Sequence, residues 1–100
     1  MYRIFHGARF AKQYAKIDGH YHPLIERFEL RLRTDPHIGK PLGNHFLREK
    51  KFSGLRLHFL TYPDLKKIIF IALGNKRDQK EIIAFIKEHL QAFKKLAEKL

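Results

Sequence analysis

Residues 46–78 read FLREKKFSGLRLHFLTYPDLKKIIFIALGNKRD, and the fold turns on how this stretch pairs with itself. Three strand-like runs, at 46–51, 55–62 and 68–73, are separated by turn signals around Ser53-Gly54 and Pro63-Asp64. The middle run begins with the apolar/polar alternation of a half-buried strand, so Leu55, Leu57 and Phe59 face inward while Arg56 and His58 face the other way. The third run, Ile68-Ile69-Phe70-Ile71-Ala72-Leu73, is continuously apolar and rich in β-branched residues, as suits a central strand covered on both faces. Gly54 is expected to supply a positive φ for the first reversal.

Working outward, Tyr2-Arg3-Ile4-Phe5-His6 reads as a first strand stopped by Gly7. Phe10, Tyr14 and Ile17 recur at helical spacing over residues 8–17, and Asp18-Gly19 closes that helix. A second helix opens at Pro23, carries Leu24, Ile25, Phe28 and Leu32 on one stripe, and ends near Thr34 because the residue before Pro36 is pushed out of helical geometry. The two helices form a hairpin whose apolar faces need a sheet to cover. Residues 35–44 hold two Pro and two Gly, which predicts an ordered loop. Beyond the third run, Asp78 followed by Glu81 has the form of an N-terminal cap, and Ile82, Ile83, Ile86, Leu90, Phe93, Ala97 and Leu100 continue one stripe. That predicts a single long last helix, whose end at 91–100 either projects as an amphipathic partner surface or folds back.

One hundred residues make one domain. The formal charge of +11, from 21 Lys and Arg against 10 Asp and Glu, favours a polyanionic partner, because so lopsided a chain repels itself. Nucleic acid comes first, and a membrane surface or an acidic protein would satisfy the same field. The absence of cysteine excludes disulfides and thiolate metal sites. No apolar run nears the ~20 residues of a membrane span, and the N-terminal run is strand-like rather than a signal peptide, so a cytoplasmic protein without membrane attachment is expected. His20 and His22 lack a nearby carboxylate or thiolate to complete a metal shell. The usual hydrolase, zinc and nucleotide motifs are missing, and no metal, cofactor or small-molecule ligand is expected.

Strand register decides which cations cluster, since a slip of one residue sends every side chain to the opposite face. If Phe52 and Leu55 flank a two-residue turn, Lys51 lies opposite Arg56 and Glu49 opposite His58, all on one face. Phe46, Phe52, Leu55, Leu57 and Phe59 then share the other face, with Arg48 and Lys50 snorkelling to its margin. A three-residue loop would instead set Arg48 and Lys50 beside Arg56 and His58. The first register gives the more consistent core. Lys76 and Arg77 arrive from the end of the third run, and grouped cations of this kind suit a phosphate held between them. Glu49 and His58 are the groups able to move protons near neutral pH. An ordinary solvated strand face with surface ion pairs would show the same pattern.

The order of strand, helix hairpin, DP-x-x-GKPL loop, LREKK strand, GLRLHFL strand, apolar strand and NKRDQ turn into a helix resembles the RelE/ParE superfamily of toxin–antitoxin toxins, and most of all the RelE-type proteins common in archaea. The likeness spans about residues 1–90. It implies an α+β fold, with an N-terminal strand and helix hairpin packed on a curved antiparallel sheet of about four strands and a C-terminal helix. It also implies a ribosome-dependent mRNA endonuclease that inhibits translation through metal-independent attack by the RNA 2′-hydroxyl. By motif, Arg56 and Arg77 would be catalytic with Lys51, and Glu49 or His58 would handle the proton. Arg48, Lys50 and Lys76 would bind RNA. A cognate acidic antitoxin, the ribosome and mRNA are the implied partners. Ile83 stands where RelE-type nucleases often carry a tyrosine, which keeps two relatives in view: a ParE-like gyrase inhibitor, and a toxin retaining only antitoxin binding.

Overall fold

A computed structural model describes the backbone throughout and the side chains of all residues except Asn44 and His45. Strand β1 (Arg3–His6) leads into α1 (Ala8–Lys16), a short 3-10 turn (Gly19–Tyr21) and α2 (His22–Thr34). Strands β2 (Lys40–Leu42), β3 (Asn44–Phe52), β4 (Leu55–Tyr62) and β5 (Lys67–Gly74) follow. A second 3-10 turn (Lys76–Asp78) opens α3 (Gln79–Glu88), and α4 (Leu90–Lys99) completes the chain. No helix is long and apolar enough to cross a membrane among the described residues.

The expected α+β architecture is present, with one more strand than anticipated. The sheet order is β1-β5-β4-β3-β2, so β4 holds the middle position expected for β5. β2 forms inside the Pro/Gly loop, with Lys40 opposite Glu49 and Pro41 opposite Arg48 on β3. As the edge strand it tolerates a proline, whose missing N–H can face outward. β1 runs parallel to β5, against the all-antiparallel expectation, while the remaining pairs are antiparallel.

Helices cover both sheet faces. On one side Phe10 of α1 and Ile25, Phe28 and Leu32 of α2 pack on Leu57, Phe59, Ile68 and Phe70. On the other, Ile82, Ile86 and Ala97 from α3 and α4 pack on Leu47, Leu60, Ile69 and Ile71. β4 is therefore buried on both faces over most of its length, not half-buried as its first alternation implied. Each fully buried Phe, Ile or Leu contributes about 1.5–3 kcal/mol. A bulge in the β4–β5 ladder pairs His58 with Ala72 and Phe59 with Phe70, leaving Ile71 as the extra residue. Ile71 and Ala72 thereby both meet the C-terminal helices.

Three local expectations change. At the β3–β4 turn the left-handed residue is Ser53 (φ 59°), not Gly54. Glu81 does not cap the last helix; Asn75 and Asp78 form a reciprocal capping box around the 3-10 turn. The predicted single helix breaks at His89, whose ring nitrogen Nδ1 contacts the Phe85 carbonyl at 2.8 Å. α4 then folds back onto the sheet, with Ala97 fully buried. Lys67 of β5 donates to the carbonyls of Ala97 (2.8 Å) and Leu100, and Arg3 also donates to Leu100. Cations at a helix C-terminus satisfy its last acceptors and complement its dipole.

Candidate functional site

β3 and β4 pair in the first of the two registers considered, with Lys51 opposite Arg56, Glu49 opposite His58 and Phe52 opposite Leu55. Glu49, Lys51, Arg56 and His58 consequently share the sheet face on which α3 lies. Arg56 also pairs with Gly74, the last residue of β5, so the chain leaves the sheet beside it. There Asn75 Oδ1 accepts from the amides of Arg77 (2.9 Å) and Asp78 (3.3 Å), and Asp78 Oδ2 accepts from the Asn75 amide (2.9 Å). This capped turn presents Lys76 and Arg77 to solvent and sets Gln79 directly over the strand cluster.

Gln79 is the residue that sequence reasoning missed. Its Oε1 accepts from Arg56 Nη1 and its Nε2 donates to Glu49 Oε2 at 3.1 Å. Arg56 Nη1 itself stands 3.7 Å from Glu49 Oε1, and His58 Nε2 stands 3.6 Å from Glu49 Oε2. The Arg56 side chain keeps 15% of its surface exposed, while Glu49 is buried. Lys51 is exposed at the rim. Among the described residues, no carboxylate pairs with Lys51, Lys76 or Arg77. Lys51 opposite Arg56, and Lys76 and Arg77 in the turn after Gly74, thus bring three exposed cations to the end of the sheet where the Arg56 guanidinium is held. Cations gathered in this way suit a phosphate.

His58 lies deeper than its expected acid–base role requires. It is fully buried, and neither ring nitrogen has a hydrogen-bond partner. Burial pushes its pKa below the usual imidazole value; Glu49 opposes that shift, while Arg56 and Arg9 reinforce it. His58 is therefore held toward its neutral form at pH 7, and its burial closes it off from anything that approaches from solvent. Arg48 and Lys50 lie on the opposite face and do not join the cluster. Arg48 Nη1 donates to the carbonyls of His37 (3.0 Å) and Gly39 (3.2 Å), tying down the loop before β2. The Lys50 ammonium stands over the Phe28 and Phe52 rings at 5.7 and 5.9 Å.

Arg9, also unforeseen, braces the site from α1. It grips Glu81 through two hydrogen bonds of 2.6 and 3.0 Å and lies 4.8 Å from the centre of the Phe85 ring, binding α1 to α3. Ile83 packs partly buried among the apolar residues beneath α3. Tyr62 cannot stand in for a tyrosine there. It sits six residues along β4 from Arg56, about 20 Å at strand rise, and burial pushes its pKa up to about 12. Beside Tyr62, an apolar groove of about 770 Å³ opens between the sheet and the last helices, lined by Phe46, Leu60, Ile86 and Leu90 with Lys87 and Lys94. Among the described residues, no three His, Asp or Glu side chains converge as a metal site would require.

No protein-family model matches the chain, and no curated protein matches it significantly. Solved structures do. The intact E. coli RelBE toxin–antitoxin complex contains a chain with TM-score 0.68 and 19% identity, covering 75% of this chain and 96% of that one. The isolated E. coli RelE toxin aligns at TM-score 0.67 and 18% identity, over 86% of this chain and 99% of RelE. A double arginine-to-alanine mutant of E. coli RelE, bound to a peptide of the antitoxin RelB, aligns at 0.68 and 18%, over 80% and 92%. At these identities the likeness is one of architecture, and the chain has the RelE-like fold that its motif order implied.

Proposed function

We propose that this chain is the toxin of a toxin–antitoxin pair, a RelE-type protein of the kind common in archaea, and that it cuts messenger RNA on the ribosome. The supporting observation is the meeting of Lys51, Arg56 and the Lys76-Arg77 turn at one end of a RelE-like sheet. RNA phosphate sits between Arg56, Arg77 and Lys51. The 2′-oxygen bonds to phosphorus, the bond from phosphorus to the 5′-oxygen breaks, and a 2′,3′-cyclic phosphate remains. Glu49 is buried behind Arg56, so its Oε1, the carboxylate oxygen not engaged by Gln79, takes the 2′-hydroxyl proton through one intervening water, and Lys51 returns a proton to the departing 5′-oxygen. Arg56 meets negative charge that grows only in the transition state, so its removal acts on the chemical step. His58 stays behind Glu49. Lys76 steers the RNA, whereas Arg48 and Lys50 serve the fold.

Messenger cleavage in a translating extract, read by primer extension, tests this. Arg56→Ala should cut about 10²–10³-fold more slowly than the parent, the range for losing one donor to a developing oxyanion. Equal rates would overturn the assignment. The burial of Glu49 and His58 together with Ile83 favours a second reading, a toxin-like chain that binds without cutting. A supercoiling assay separates it: inhibited gyrase with intact message would make the protein ParE-like, and inactivity in both assays would leave antitoxin binding alone. In each case the partner is an acidic antitoxin drawn by the +11 charge. The groove beside Lys87 and Lys94 suits the apolar side of an antitoxin helix.

A further inference from the structure

We propose that Gln79 is a positioning residue that holds Arg56 off Glu49, so that the partly exposed guanidinium stays available to the RNA and the buried carboxylate keeps an oxygen free to take a relayed proton. The inference rests on the nuclease reading for its purpose, though its geometry stands independently. Arg56 and Glu49 lie diagonally across the β3–β4 ladder, close enough to collapse into a two-point ion pair. They have not done so. Their nearest charged atoms are 3.7 Å apart, beyond hydrogen-bond length, and the Gln79 amide occupies the place of the direct bond.

A carboxamide is suited to this. Its oxygen accepts from a guanidinium while its nitrogen donates to a carboxylate, so one neutral group satisfies both ions without cancelling either. Only one orientation works. The flipped amide would turn its hydrogens toward Arg56 and its oxygen toward Glu49, opposing like polarity at both ends. Backbone geometry holds Gln79 in place, since the Asn75–Asp78 capping box fixes the turn and Arg9 clamps Glu81 one half-turn further on. Without the amide, the guanidinium is free to swing onto Glu49. The ion pair now standing at 3.7 Å would tighten into direct hydrogen bonds, so the guanidinium would be less free to meet an incoming phosphate and the carboxylate would lose the oxygen assigned to the 2′-hydroxyl proton.

Two substitutions separate positioning from folding and from RNA contact. Gln79→Leu keeps bulk but loses both polar atoms. It should lower kcat for ribosome-bound message about tenfold, roughly 1.4 kcal/mol of barrier, with KM within twofold and melting temperature unchanged. Gln79→Glu carries the sharper signature. Protonated, the new carboxyl mimics the amide, accepting from Arg56 and donating to Glu49. Ionised, it repels Glu49 and captures Arg56. Two carboxyls sharing a site raise one another's pKa, so this variant should approach parental rate near pH 5.5 and lose about tenfold by pH 8, while the parent shows no such decline.

A rise in KM with kcat intact would make Gln79 an RNA contact and overturn the proposal. So would flat, parallel pH profiles of Gln79→Glu and the parent, or losses that track melting temperature. If the parent chain cuts no message, the nuclease reading fails, and the spacer is judged by NMR of the Arg56 guanidinium. In Gln79→Leu its resonances should shift as it pairs with Glu49, and should return when Glu49→Gln is added. Unmoved Arg56 resonances would sink the spacer independently of any activity.

Discussion

Replacing Lys67 with Met should detach the last helix from the sheet while leaving the rest of the fold assembled. Lys67 is buried, and its ammonium donates to the carbonyls of Ala97 and Leu100 at the end of α4. Methionine matches its stem and restores none of these bonds. The Leu100 carbonyl can recover water because that residue is exposed, but the carbonyl of fully buried Ala97 loses its donor in a site closed to solvent. An unsatisfied buried acceptor costs about 1–3 kcal/mol, and removing the ammonium recovers part of its desolvation cost, so a net loss of about 2 kcal/mol is expected. For a domain of this size each kcal/mol moves Tm by roughly 4–8 °C, placing the variant about 8–16 °C below the parent. Calorimetry reads the midpoint, and amide hydrogen exchange along α4 locates the loss. A fall of less than about 2 °C, with α4 amides protected as in the parent, would refute the view that this lysine docks the helix.

His58 should make stability depend on pH. Its pKa is depressed in the fold by burial, against an ordinary value of 6.5. Above pH 6.5 the ring is neutral both folded and unfolded, so the parent has its full stability. As pH falls from 6.5 toward the lower folded value, the unfolded chain gains a proton that the fold resists, and stability declines. Urea midpoints from pH 8 to 5 should fall more steeply for the parent than for His58→Leu; parallel curves would show that the ring does not titrate this way. Gly39→Ala should cost about 1–3 kcal/mol, because φ is +98° and a Cβ would come within 2.9 Å of Phe59 Cζ and 3.3 Å of the Glu49 carbonyl. An unchanged urea midpoint would mean that the loop before β2 yields without strain.

Periodicity made the β3–β4 register legible, because only one pairing puts Phe52, Leu57 and Phe59 under the helix hairpin while sending Arg56 and His58 to the other face. The same logic located α1 and α2. Features set by distant partners were hidden. Nothing near residues 3–6 announces that β1 will run parallel to a strand beginning at Lys67. The break at His89 interrupts a stripe that continues unbroken in sequence, since a straight helix would have carried Ala97 away from the sheet. Ser53 took the left-handed position that glycine would ordinarily fill. Lys51, Arg56 and Arg77 were readable as cations at one end of the sheet, but the depth of His58 was not, because alternation says which face a residue takes and not how thickly that face is covered. Gln79 was missed because the helix start was placed at Asp78; moving the cap to Asn75 turns Gln79, two residues after Arg77, toward the strands.

The parallel seam between β1 and β5 bears on how the polypeptide is made. Its first strand finds no neighbour until Lys67 through Phe70 have left the exit tunnel, and the α1–α2 hairpin must wait beside it with its aromatic residues uncovered. Such a long-range pairing is slow and leaves a sticky interval during synthesis. The cluster around Arg56 forms later still, since the amide that holds it belongs to the residues after Gly74. A chain translated only as far as that glycine therefore carries the strand cations without the turn and the amide that complete their surroundings.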